Sequence, residues 1–186
     1  MRRLSIILSC VILVTGCVVS LGKVEEPVHR VENIRNAYEI RQYSPRILAT
    51  VTLSGTREQV ADAGFKILYD YISKGNIKMT APVLQQVKGP NEWRVSFVMP
   101  QQYRLKTLPK PADSRIKIVV LPMQRVAALT FSGLVTDAVV TEKSSRLTGY
   151  LSQDSLIPAE NPMLARYDPP WTLPFLRRNE ILIVLQ

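Results

Sequence analysis

The sequence predicts an α+β domain built from two similar halves. Three observations carry that prediction: an internal repeat, the switch from alternating to helical periodicity inside each copy, and proline-rich stretches that bound the copies. Arg46-Ile47-Leu48-Ala49-Thr50-Val51-Thr52-Leu53-Ser54-Gly55 is rich in β-branched and apolar residues and ends in a turn glycine. Arg125-Val126-Ala127-Ala128-Leu129-Thr130-Phe131-Ser132-Gly133 repeats it, with its Ser-Gly end 78 residues further on.

Each repeat strand precedes a helix. After the first, Val60, Ala63, Gly64, Ile67, Leu68, Tyr71 and Ile72 recur at three- and four-residue intervals, with Thr56 as N-cap and Gly75 as stop. The second helix runs from about Asp137 to Ser152, with Val140, Leu147 and Leu151 on one side. Each half closes with a strand, Trp93 to Met99 and Glu180 to Leu185, and each repeat strand is preceded by another, Tyr38 to Tyr43 and Ile116 to Leu121. Two copies of strand–strand–helix–strand give the pseudo-twofold α+β reading. The stretches Pro100–Pro111 and Pro158–Pro174 read as rim loops.

Before the domain lies a different composition. Arg2 and Arg3 form a positive n-region, Leu4 to Leu13 an apolar h-region, and Thr15 and Gly16 are small residues suited to a cleavage site. A small residue followed at once by Cys17 resembles the lipobox of bacterial lipoproteins. That resemblance implies residues 1–16 as a lipoprotein signal peptide, acyl chains on Cys17, and 17–36 as a tether. Each buried CH₂ adds roughly 0.8 kcal/mol to such an anchor. An uncleaved span over Leu4–Leu21 and a plain secretory signal are the alternatives. All three place the rest of the chain outside the cytoplasm, and Val18 after the cysteine resembles outer-membrane sorting in Gram-negative envelopes.

The mature chain is the size of one domain. Its formal charge falls from +9 to +7 without Arg2 and Arg3, and the cations are dispersed. Nucleic-acid binders concentrate basic residues on one face, so no nucleic-acid partner is expected. Cys10 leaves with the signal and Cys17 is acylated in this reading, so the domain has neither disulfide nor thiol chemistry. His29, the single histidine, falls in the tether. No Ser/His/Asp set and no metal-ligand cluster is legible, so an enzyme is not expected. Glu39 and Glu180 read as partners of Arg41 or Arg178.

Four motifs then stand in order: Tyr38-Glu39-Ile40-Arg41-Gln42-Tyr43; Asn76-Ile77-Lys78-Met79-Thr80-Ala81-Pro82-Val83; Ser96-Phe97-Val98-Met99-Pro100; and Tyr167-Asp168-Pro169-Pro170-Trp171 followed by Arg177-Arg178-Asn179-Glu180-Ile181. Together they resemble the SOUL family of haem-binding proteins, over about residues 37–186. The resemblance implies a distorted antiparallel β-barrel flanked by two helices. It also implies a haem or tetrapyrrole held against the first helix and the Tyr-Asp-Pro-Pro loop. That assigns ligand contacts to Phe65, Lys66, Leu68 and Tyr69, with Tyr167 and Trp171 opposite, Arg177 for the propionates, and Met79, Tyr69 or Tyr167 as axial ligand. Each motif also has an architectural reading, as a strand entry, a stiff turn or a clasp on the last strand. Asp62 and Asp70 stand where some members carry basic residues, and carboxylates repel propionates. Arg57 and Lys66 remain on that helix. A groove for amphipathic or cationic molecules, as in the effector-binding domains of bacterial regulators, is the alternative function.

Overall fold

The computed structural model describes residues 24–35 and 37–186. Residues 1–23, which hold the signal-peptide motif and Cys17, lie outside the described residues. The repeat strand is β3 (Arg46–Ser54), which follows β1 (His29–Ile34) and β2 (Glu39–Tyr43) and leads into helix α1 (Arg57–Lys74). Thr56 starts α1 with a reciprocal capping box. Its hydroxyl accepts from the Gln59 N–H at 3.3 Å, and its own N–H donates to the Gln59 side chain at 3.2 Å. Then come β4 (Val83–Gly89), β5 (Glu92–Val98) and β6 (Lys117–Leu121). The second copy is β7 (Gln124–Phe131), α2 (Asp137–Gln153), β8 (Met163–Arg166) and β9 (Asn179–Val184). The two Ser-Gly ends match in backbone as well as sequence, with Gly55 at φ 140° and Gly133 at φ 104°, both in the region that favours glycine.

All nine strands form one antiparallel sheet in the order β1-β2-β7-β9-β8-β4-β5-β3-β6. The true repeat is therefore strand–helix–strand–strand, β3-α1-β4-β5 and β7-α2-β8-β9. The leading strands are exchanged: β2 pairs with β7, and β6 pairs with β3. The links explain the exchange. Ser44-Pro45 joins β2 to β3, and Pro122-Met123 joins β6 to β7. Proline fixes φ near −65° and removes an N–H, so neither link makes the I′ or II′ turn of a tight hairpin. Each leading strand crosses to the other half instead.

The sheet curls without closing. β1 and β6 are its free edges, yet Leu121 of β6 and Tyr43 of β2 line the same cavity on the inner face. The expected barrel is thus an open half-barrel with both helices on its outer face. α1 covers β3 and β5 through Val60, Leu68 and Ile72 packed on Val51, Val95 and Phe97, while α2 covers β7 and β9 through Leu147 and Leu151. A third cluster, including Leu48, Leu84, Val98, Val126 and Leu182, fills the inner face.

Three strands depart from the sequence reading. β1 lies in the stretch read as tether, where it adds an edge strand to β2. β4 and β8 lie in stretches read as loop or strand entry, and they pair at the centre of the sheet.

Gly64 sets the approach of α1. A Cβ there would meet Val95 at 2.8 Å and Val51 at 3.2 Å. Both neighbours are branched and buried, so Gly64→Ala should destabilise the fold by about 1–3 kcal/mol, the usual cost of overpacking. Urea denaturation checks this, and the same substitution at Gly149, which meets nothing within 4 Å, should not destabilise.

Candidate ligand-binding site

Helical periodicity splits α1 into two stripes. Val60, Gly64, Leu68, Tyr71 and Ile72 face the sheet, leaving Asp62, Phe65, Lys66 and Tyr69 outward. Phe65 and Tyr69, four apart, stack with centroids 5.8 Å apart and planes 11° off parallel. Phe65 meets Phe97 of β5 edge-on at 5.2 Å, so the outward pair rests on the core. Phe65 is 38% exposed and Tyr69 52%, which leaves a two-ring aromatic step open to a flat apolar guest.

The arginines beside this step come from three segments, α1, β8 and the loop after β8. Val83 of β4 packs on the α1 core and lies opposite Arg166 of β8, so Arg166 also faces outward. Burial lowers the pKa of Arg166, and repulsion from Arg177 and then Arg57 lowers it further, with Asp62 opposing. Arg57 is buried and occupied: its Nε donates to Asp137 at 2.5 Å and its Nη2 to the Val135 carbonyl at 3.1 Å. Arg177 donates from Nε to the Thr172 carbonyl at 2.7 Å and from Nη2 to the Pro170 carbonyl at 2.5 Å. The Arg166 side chain makes no hydrogen bond or ion pair among the described residues, so of these three arginines it is the one free to meet an incoming anion.

The sequence-assigned residues divide between the two faces. Phe65, Lys66 and Tyr69 stand together on the outer face of α1. Leu68 is fully buried, and Met79 is half-buried against the same core cluster, so both belong to the interior. Arg177 braces the loop after β8, and Trp171 on that loop is 83% exposed. Tyr167 lies on the opposite face from α1, where its hydroxyl donates to Glu180 at 2.8 Å. His29 is likewise away from α1, its ring 4.8 Å from that of Tyr43. Asp70 is taken by Lys74 at 2.8 Å, which leaves Asp62 and, one turn before it, Glu58 as the exposed carboxylates of this helix stripe. Sequence reasoning missed Arg166, because a four-residue strand inside a proline-rich stretch carries no periodicity to assign its faces.

The inner face is built around one ion pair. Arg41 donates to both Glu180 oxygens, at 2.8 and 3.1 Å, and from Nε to Glu39 at 2.7 Å. Burial works against the Arg41 charge, but the hydrogen bonds and charge of Glu180 more than compensate and raise its pKa. Tyr43 and Tyr167 complete the cluster, and burial pushes both phenols above their ordinary pKa. Arg178 lies over the Tyr167 ring at 3.6 Å. Glu180 is therefore neutralised, and this face offers no free carboxylate at its centre. The inner cavity of about 230 Å³ is smaller than ordinary ligand pockets of roughly 300–1,000 Å³.

Among the described residues, no group of three His, Cys, Asp or Glu side chains is placed to hold a metal ion, and no helix is long and apolar enough to cross a membrane. Comparison with known proteins identifies the family. The model of the SOUL heme-binding protein family matches residues 24–184, and the chain belongs to that family. No curated protein matches the sequence. Among solved structures, the EcmrR C-terminal domain superposes with a TM-score of 0.64 at 10% identity, covering 80% of this chain and 96% of that one. A hydrolase from Listeria innocua gives 0.56 at 14% identity, covering 83% and 94%. SAV2435 bound to tetraphenylphosphonium gives 0.50 at 13% identity, covering 80% and 93%. These likenesses are of fold alone.

Removing one partner of the inner pair leaves a buried charge. Arg41→Met or Glu180→Leu should each cost about 3–5 kcal/mol in urea unfolding, and the double variant much less than their sum. Tyr167 gives a pH dependence. Its pKa is higher folded than unfolded, so its contribution is complete below the unfolded value of about 10 and fades as pH rises above it. The stability gap between wild type and Tyr167→Phe should be constant up to about pH 9 and shrink above 10.

Proposed function

We propose that this member of the SOUL family is an envelope-anchored carrier or binding module for haem or a related tetrapyrrole, not an enzyme. The guest lies against Phe65 and Tyr69, with one propionate on Arg166. Arg166 is the observation that supports this reading best. A tetrapyrrole needs an apolar surface and a cation at its rim, and a half-buried arginine without a partner, beside a stacked aromatic pair, supplies both. Lys66 stands outward on the same helix, and Trp171 and Arg177 belong to the neighbouring loop. Arg57 and Asp137 occupy each other, so Arg57 is charge-compensated and braces the site without meeting the guest. No histidine among the described residues lies on this face, which leaves Tyr69 as its ligating-type side chain. The family supports haem; the residues support the plate and the propionate more strongly than an iron–histidine bond.

A lipophilic cation is the alternative guest. Asp62 favours it, and tetraphenylphosphonium is what SAV2435, of similar fold, is bound to. Asp137 offsets Arg57, and Asp62 and Glu58 stand against Arg166, Arg177 and Lys66, a small positive surplus that favours the anionic tetrapyrrole. The anchor is part of the same proposal and is supported by Arg2-Arg3, the apolar run and Thr15-Gly16-Cys17.

Haemin titration of the full chain tests the guest. The expected result is a saturable one-to-one Soret shift, lost in Phe65→Asp and weakened about tenfold in Arg166→Gln, a change of about 1.4 kcal/mol. Tetraphenylphosphonium should not displace it. A shift that both variants share, or none, overturns the proposal. Separately, Cys17→Ser should release the protein from membranes.

A further inference from the structure

The loop between β8 and β9 turns a protein loop inside out. Trp171, Leu173, Phe175 and Leu176 are 83, 55, 69 and 64% exposed, and Leu134, from the loop before α2, is 62% exposed. The Gly133 N–H donates to the Pro174 carbonyl at 2.9 Å, which fastens the two loops together. These five side chains form one apolar projection.

The polar groups of the loop are turned inward. Arg177 gathers the Pro170 and Thr172 carbonyls at 2.5 and 2.7 Å. Asp168 accepts from the Arg178 N–H at 2.6 Å. The N–H groups of Thr172, Leu176 and Arg177 find the carbonyls of Pro169, Leu173 and Pro174. Pro169, Pro170 and Pro174 have no N–H to satisfy. A loop that closes part of its own backbone and turns its Trp, Phe and Leu side chains outward suits the membrane interface, where headgroups and water reach the remaining N–H groups of Trp171, Leu173 and Phe175.

Two further observations select a bilayer. Arg166 and Arg177 stand beside the projection, suited to anionic headgroups. The chain that leads back to Cys17 is fastened at the same place, because Arg178 pairs with Glu26 at 2.6 Å. Val24 is the seventh residue after Cys17, a reach of at most about 25 Å. We infer that the 171–176 loop, with Leu134, inserts into the outer layer of the membrane that carries the lipid anchor, and holds the domain with this end against the bilayer. The inference rests on the anchor reading and needs no haem.

The test uses the full chain with Trp93→Phe, which makes Trp171 the single tryptophan, reconstituted without haemin in phosphatidylethanolamine–phosphatidylglycerol vesicles with brominated acyl chains. Trp171→Phe supplies the Trp93 baseline. Trp171 emission should shift to the blue and be quenched severalfold by the bromines. Leu173→Ser/Leu176→Ser, both at exposed positions, should restore the emission while the protein still floats with the vesicles. Flotation with unshifted, unquenched Trp171 overturns the inference and leaves the anchor reading standing. Failure to float overturns both. Quenching that survives the double serine variant also overturns it.

Discussion

The pairing of β4 with β8 is the constraint on which the rest of the molecule depends. Four residue pairs, Val83 with Arg166 through Gln86 with Met163, turn two half-sheets into one. The exchanged strands β2 and β6 reinforce the junction from the sides, since each half carries the leading strand of the other. Neither half can complete its sheet alone, which makes the domain one cooperative unit despite its internal repeat. The junction also fixes the outer face, because it is the register of β4 on β8 that sends Arg166 toward α1 and Tyr167 away from it. A slip of one residue would reverse both.

That alternation divides the labour between the faces. The inner face spends its charges on itself. Arg41, Glu39 and Glu180 join β2 to β9, Tyr167 and Thr130 donate to the Glu180 carboxylate, and the Tyr43 hydroxyl accepts from Arg41. A buried carboxylate with that many donors is a structural clasp, since any guest that drew Glu180 away would leave Arg41 buried and uncompensated. The outer face is organised the other way. Its core stripe is closed by Leu68 and Gly64, but the next stripe of α1 keeps two aromatic rings in the open, and β8, beyond β4, contributes an arginine whose side chain has no partner among the described residues. Partner-free charge and open aromatic surface are costly in a domain that binds nothing, and here they occur side by side.

What was legible in the sequence followed periodicity. α1 and α2 could be read to within about a turn, because capping threonines and apolar spacing act locally, and the repeat located β3 and β7 through their Ser-Gly ends. β4 was not legible as a full strand because Val83-Leu84-Gln85-Gln86-Val87 is buried in the sheet centre and its glutamines do not alternate. β8 is short and hidden among prolines, and with it went the orientation of Arg166 and Tyr167. The family resemblance placed Tyr167 opposite Phe65, although one residue of alternation in β8 decides which face Tyr167 takes. The same resemblance assigned Leu68 to the ligand, whereas the helical spacing groups it with Val60, Gly64 and Ile72, and the packing of α1 on Val95 shows that this stripe is closed.

The loop after β8 is where these strands of reasoning meet. Its Asp-Pro-Pro start and Arg-Arg-Asn-Glu end read from the sequence as a stiff turn and a clasp, and both are present: Asp168 closes onto Arg178, Arg177 onto Pro170 and Thr172, and Glu180 onto Arg41. What the sequence could not convey is how much of this bonding closes within the loop while its large apolar side chains stay outside. Rigidity and apolarity here have a common origin, since the same arginine that stiffens the loop removes its carbonyls from solvent. A flexible loop of this composition would fold its tryptophan and phenylalanine back onto the domain. This one is braced against that collapse, so Trp171 and Phe175 remain presented beside Arg166 and the chain that runs back toward Cys17, where an amphipathic guest and a lipid surface would make their demands on the same end of the molecule.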